Sequence, residues 1–137
     1  MSGERNLDEL LRQMRPALDP QPYTFATLEE GAASGRLSSA WGFAREDEGV
    51  MLILTCEQAQ QAGMPCEDQW GRITLSIHSD LHAVGLLAHV SQALASQGIS
   101  LNVISAFYHD HLFVPWQQRR QALNCLSRLS RQANPPS

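Results

Sequence analysis

No lysine occurs in this sequence; its ten cationic side chains are all arginine. They face 14 carboxylates, and the formal net charge is −4. Nonspecific nucleic-acid and anionic-membrane binding both need a basic surface, so neither partner is expected. Aromatic residues make up only 7% of the chain, and the candidate central strands are aliphatic. That excludes the stacking platform of an RNA-recognition module. The three cysteines, Cys56, Cys66 and Cys125, are odd in number and show no CxxC spacing. A disulfide framework and a zinc ribbon are therefore not expected, and the thiols read as reduced side chains of a cytoplasmic protein. No apolar run reaches membrane-spanning length, and the opening MSGERNLDELLRQM lacks the apolar core of a signal peptide. No GxSxG occurs, and neither Cys56 nor Cys66 has a nearby base in sequence. The chain reads as a non-enzymatic binding protein that calls for no cofactor.

What is present is a mixed α+β pattern within 137 residues, enough for one domain or two small halves. Leu7, Leu10, Leu11 and Met14 recur at helical spacing, with Asn6 suited to the N-cap. Three prolines mark Pro16–Pro22 as a connector that ends this helix. Tyr23–Leu28 has strand composition, and Glu29–Ser39 reads as a loop able to close over a ligand. Ala40–Arg45 and Val50–Thr55 are strands around an acidic turn, followed by a short helix over Glu57–Ala62. Arg72–His78 alternates cleanly: Ile73, Leu75 and Ile77 face one way, and Arg72, Thr74, Ser76 and His78 the other. Ala83–Gln97 carries an apolar stripe through Leu86, Leu87, Val90 and Leu94. A strand over Ile99–Tyr108, a turn at His109-Asp110, a return strand over Leu112–Val114 and a final helix with Leu123, Leu126 and Leu129 complete the pattern. The arginines near that helix (Arg119, Arg120, Arg128 and Arg131) read as a solvated face.

The second half is thus βαββα, and a weak repeat relates VMLILTCEQAQQA to HLFVPWQQRRQA. The spacing predicts two ferredoxin-like halves, residues 1–69 and 70–137, each an antiparallel sheet with helices on one face. The second half lacks a closing strand, and Tyr23–Leu28 is expected to cross over and supply it.

The most informative place is the segment Ser79–Gly85, where a strand hands over to the best helix. The first N–H groups of a helix have no partner inside it, and a carboxylate can accept from them. Gly85 has no side chain to block that approach. Asp80 suits an α-amino group through charge-assisted hydrogen bonds. The plainer alternative stays open: Asp80 serves only as an N-cap, and Gly85 only lets the helix pack closely.

The stretch SDLHAVGLLAHVSQALASQGISLNVISAF resembles the core of an ACT domain. That family's loop from an aspartate to a Gly-Leu pair is similar to the run from Asp80 to Gly85 and Leu86, and its following strand to Gly98, Ile99, Asn102 and Ile104. Its usual proline before the glycine is Val84 here. YHDHLFVP (Tyr108–Pro115) is similar to the tandem-ACT branch that includes cytosolic arginine sensors. The resemblance spans Leu7 to Leu129. It implies a regulatory protein binding an amino acid or similar small carboxylate between ACT units. The implied contacts are Asp80, Leu81, His82, Ala83, Val84, Gly85 and Leu86, with Asn102, Val103 and Ile104 opposite. It also implies a homodimer.

Two other readings compete. One is a ligand-free homodimeric interaction module, using Phe107, Tyr108 and Phe113 as packing groups. The other is a metal-binding protein: His109 and His111 alternate on an extended chain, which puts both imidazoles on one side.

Overall fold

The longest strand runs through the segment whose three prolines predict a connector. It is β1, Pro16–Leu28, 13 residues long. Alternate N–H groups along a strand point to the same edge, and Pro16, Pro20 and Pro22 share one parity. Their missing donors therefore fall on a single edge, and the other edge can still pair. The computed structural model describes residues 3–77 and 85–133. Before β1 comes helix α1 (Gly3–Arg12). After it the chain forms α2 (Glu30–Ala33), β2 (Gly42–Glu46), β3 (Gly49–Thr55), α3 (Cys56–Gln61), β4 (Trp70–Leu75), α4 (Leu86–Ala95), β5 (Asn102–Ser105), β6 (Asp110–Pro115) and α5 (Arg119–Gln132). The class is α+β with antiparallel strand pairing, as the pattern predicts.

Contacts divide the chain into two units: residues 20–70, and residues 1–19 together with 71–137. In the contiguous unit the strand order is β2-β3-β1. Tyr23 pairs with Thr55 and Leu28 with Val50, so Tyr23–Leu28 closes the sheet of its own half rather than that of the second. The four residues ahead of Pro20 belong instead to the discontinuous unit, beside β4, where the order continues through β6 to β5. Helix α1 goes with them and packs on α4 and α5. Leu11 and Met14 enter that unit's core. The turn from Met14 to β1 is tied down by Ser76, whose N–H donates to Met14 O at 2.7 Å and whose hydroxyl donates to Arg15 O at 2.8 Å.

Binary patterning explains both cores. In β4, Ile73 and Leu75 are fully buried, and Leu86, Val90 and Leu94 of α4 pack over them at helical spacing. In β3, Val50, Leu52 and Leu54 face the other unit's core. Ile53 is buried on the opposite side, which accounts for the unbroken apolar run. Tyr23 and Phe25 pack edge-on against Trp41 and Trp70.

One expectation about the cysteines fails. Cys56 and Cys66 form a disulfide, with Cα atoms 5.5 Å apart, while Cys125 is a buried free thiol. The bridge needs no CxxC motif. Cys56 opens α3 directly after Thr55, whose hydroxyl accepts from the Gln58 N–H in a capping box. Gly63, at φ +73°, turns the chain back after the helix. The segment predicted as a loop over Glu29–Ser39 instead holds α2 and successive hydrogen-bonded turns, with Arg45 on β2 bonded to Glu30 at 3.1 Å.

Candidate functional site

Five of the predicted contacts, Asp80, Leu81, His82, Ala83 and Val84, lie outside the described residues. The described part of that loop is Gly85, which precedes α4 at φ +99°. L side chains rarely adopt this conformation, so the backbone itself requires glycine. The Gly85 carbonyl accepts the first helical N–H, from His89, at 3.0 Å. No side chain of residue 85 caps the helix. A Cβ at Gly85 would lie 3.4 Å from a methyl of Leu7, so α1 covers this side of the glycine. Leu86 is buried in the core and presents its backbone, not its side chain, at the helix start.

The three predicted residues on β5 divide between two faces. Asn102 pairs with Phe113, Val103 with Leu112 and Ile104 with His111. Val103 packs into the core beside Leu112. Asn102 and Ile104 point to the opposite face, because side chains alternate along a strand. Among the predicted contacts within the described residues, Asn102, Ile104 and the backbone at Gly85 and Leu86 stay outside that core packing.

That second face carries a polar chain absent from the predicted site. Asp19 on β1 pairs with Arg72 on β4 at 2.8 Å. Arg72 Nη1 donates to Thr74 Oγ1 at 2.6 Å, and Thr74 Oγ1 lies 2.9 Å from His111 Nδ1. Burial pushes the His111 pKa below its ordinary value, and the charges of Arg72 and His109 push it the same way; Asp110 opposes them. The imidazole is therefore biased toward its neutral form. The alternation of Arg72 with Thr74 and of His109 with His111 put these side chains on outward faces. Their meeting depends on β4 lying beside β6. Among the described residues, no group of three or more His, Cys, Asp or Glu side chains is placed to hold a metal ion.

Comparison with known proteins decides the family. An ACT-domain profile matches residues 2–70, and a second ACT-domain profile matches residues 67–128. The chain belongs to the ACT-domain family. A Vibrio cholerae protein of unknown function, described as a possible transport protein, is 44% identical. The match covers 91% of this chain and 96% of that one, with a TM-score of 0.79. An Agrobacterium tumefaciens protein is 20% identical over 80% of this chain and 84% of its own, with a TM-score of 0.63. The ligand-free regulatory subunit of aspartate kinase from Thermus thermophilus matches over 83% of this chain and 95% of its own, at 15% identity and a TM-score of 0.62. The last two likenesses speak to the fold alone. No curated protein matches. The two ACT profiles meet at residues 67–70, yet the contacts of this ACT-domain protein assign residues 1–19 to the unit built by the second profile. No helix among the described residues is long and apolar enough to cross a membrane.

Proposed function

We propose that this ACT-domain protein is a non-catalytic regulatory module that binds an amino acid or similar small carboxylate in the cytoplasm. The observation that supports it most is the pair of ACT matches along one chain. The binding determinants are the Asp80–Leu86 segment, with the left-handed Gly85 at its end, and Asn102 and Ile104 on β5. A ligand carboxylate would accept from the backbone N–H groups at the start of α4, and Asp80 would meet the amino group. Structural likeness to an aspartate kinase regulatory subunit is consistent with this role. Binding the folded state raises stability by mass action. A thermal-shift screen over the amino acids is therefore expected to raise the melting temperature with at least one of them, and Asp80→Ala to abolish that rise. No shift with any amino acid at millimolar concentration would remove the reading.

A second reading is supported by the turn between β5 and β6. Phe107 and Tyr108 are 67% and 64% exposed there, with their rings 5.0 Å apart. Exposed aromatics beside an edge strand suit a homodimer contact without a small ligand. Light scattering after size exclusion distinguishes a dimer that persists in Phe107→Ser from one that needs this turn.

A further inference from the structure

We propose that His109 and His111 form a two-imidazole site for an exchangeable divalent transition metal of the nickel–copper–zinc group. His109 immediately precedes β6 and His111 is its second residue, two positions apart. Their ring centroids are 6.3 Å apart and their planes perpendicular. Both rings turn the same nitrogen toward β4 or the residues just after it. His111 Nδ1 is 2.9 Å from Thr74 Oγ1, and His109 Nδ1 is 3.4 Å from the carbonyl oxygen of Ile77. A carbonyl only accepts, so the His109 contact selects the tautomer with its hydrogen on Nδ1, and coordination falls to Nε2. Thr74 Oγ1 takes one hydrogen bond from Arg72, and its contact with His111 Nδ1 runs in either direction according to the ring's tautomer; the tautomer with hydrogen on Nδ1 gives Thr74 Oγ1 a second donor. That tautomer likewise assigns coordination to Nε2.

Metal-binding imidazoles are commonly oriented in this way, one nitrogen held by a carbonyl or polar side chain and the other on the ion. Borderline nitrogen donors suit nickel, copper and zinc, whereas magnesium and calcium demand oxygen. The nearby Arg72 would repel a cation, but Asp19 pairs with it at 2.8 Å. With no third protein ligand among the described residues, water or a small ligand completes the coordination. The ion is accordingly exchangeable rather than locked in. The inference is independent of the amino-acid reading.

The test uses the full chain, stripped with chelator and titrated calorimetrically with nickel chloride and with zinc chloride. One equivalent per chain is expected, weakened at least tenfold in His109→Ala and in His111→Ala. Thr74→Val, which removes the orienting hydroxyl, is expected to weaken binding about 10- to 100-fold. His89→Ala, on α4, is expected to bind as the parent does. Copper(II) added to the unaltered protein should give nitrogen hyperfine structure in its electron spin resonance and broaden the His109 and His111 imidazole NMR signals first. This second measurement needs no variant to fold. No stoichiometric binding, unchanged affinity in His109→Ala and His111→Ala, or broadening centred elsewhere would overturn the proposal.

Discussion

The two units solve the same folding problem by different means. The discontinuous one buries a broad core: β4 and β6 under α4 and α5, with Leu11 and Met14 added from the N-terminal segment. The contiguous one has a smaller core of Ala33, Val50, Leu52, Leu54 and Ala59. It compensates locally, with the Cys56–Cys66 bridge and the Thr55–Gln58 capping box at the same helix start. A small core leaves less burial energy to offset chain entropy, and covalent or capping constraints make up the difference. The larger core tolerates irregular backbone. Arg15 sits at φ +46°, and α4 begins from a glycine that offers no side-chain cap. Irregularity of this kind is held in place only where surrounding packing over-determines it.

The largest expected effect tests the broad core. Leu94 is fully buried in α4, and Leu94→Ala should cost about 2–5 kcal/mol, read from urea unfolding. A cost below that of losing the disulfide would reverse the ranking of the two units. Next comes the bridge, which closes a loop of sequence separation 10. Replacing both Cys56 and Cys66 by Ser should cost about 2–3 kcal/mol. In the unaltered, unreduced chain, denaturation should release one reactive thiol, from Cys125. Three reactive thiols would mean that the contiguous unit stands without its staple. Smaller again, Gly85→Ala should cost about 1–2 kcal/mol, because alanine is strained at φ +99°. If Leu7→Ala in the same chain restores most of that loss, the steric contact with α1 outweighs the backbone strain. The smallest effect concerns His111. Its folded-state pKa lies below the ordinary 6.5, so on acidification the unfolded chain takes up the proton first. Stability should be complete above about pH 6.5, decline as the pH falls below it, and level off once the folded imidazole is also protonated. His111→Gln should flatten that decline in melting temperature. An unchanged slope would detach His111 from the acid sensitivity of its unit.

The helices and most strands were legible because their apolar residues repeat at periods that only one regular structure can place on a single face. Val90 and Leu94, and Ile73 and Leu75, are core residues by periodicity alone. The prolines of β1 misled for an understandable reason: each one locally opposes a strand, and only their shared parity makes pairing tolerable. For the candidate site, the place of Gly85 ahead of the helix was visible, and the alternate spacing of Ile99, Leu101 and Val103 already grouped Val103 with core residues. The strand Asn102–Ser105 starts later than its apolar residues suggest, because Ile99 is already in the core before the strand begins. The Cys56–Cys66 bridge gave no spacing signal, since the turn at Gly63 brings the two residues together.

The order of apolar and polar residues was enough to settle an α+β chain with a βαββα second half, because periodicity and turn chemistry are local properties. Which half receives residues 1–19, which thiols bond, and the line from Asp19 through Arg72 and Thr74 to His111 were settled by contacts between distant segments. Such contacts depend on strand neighbours and helix packing, and no short window of residues encodes them.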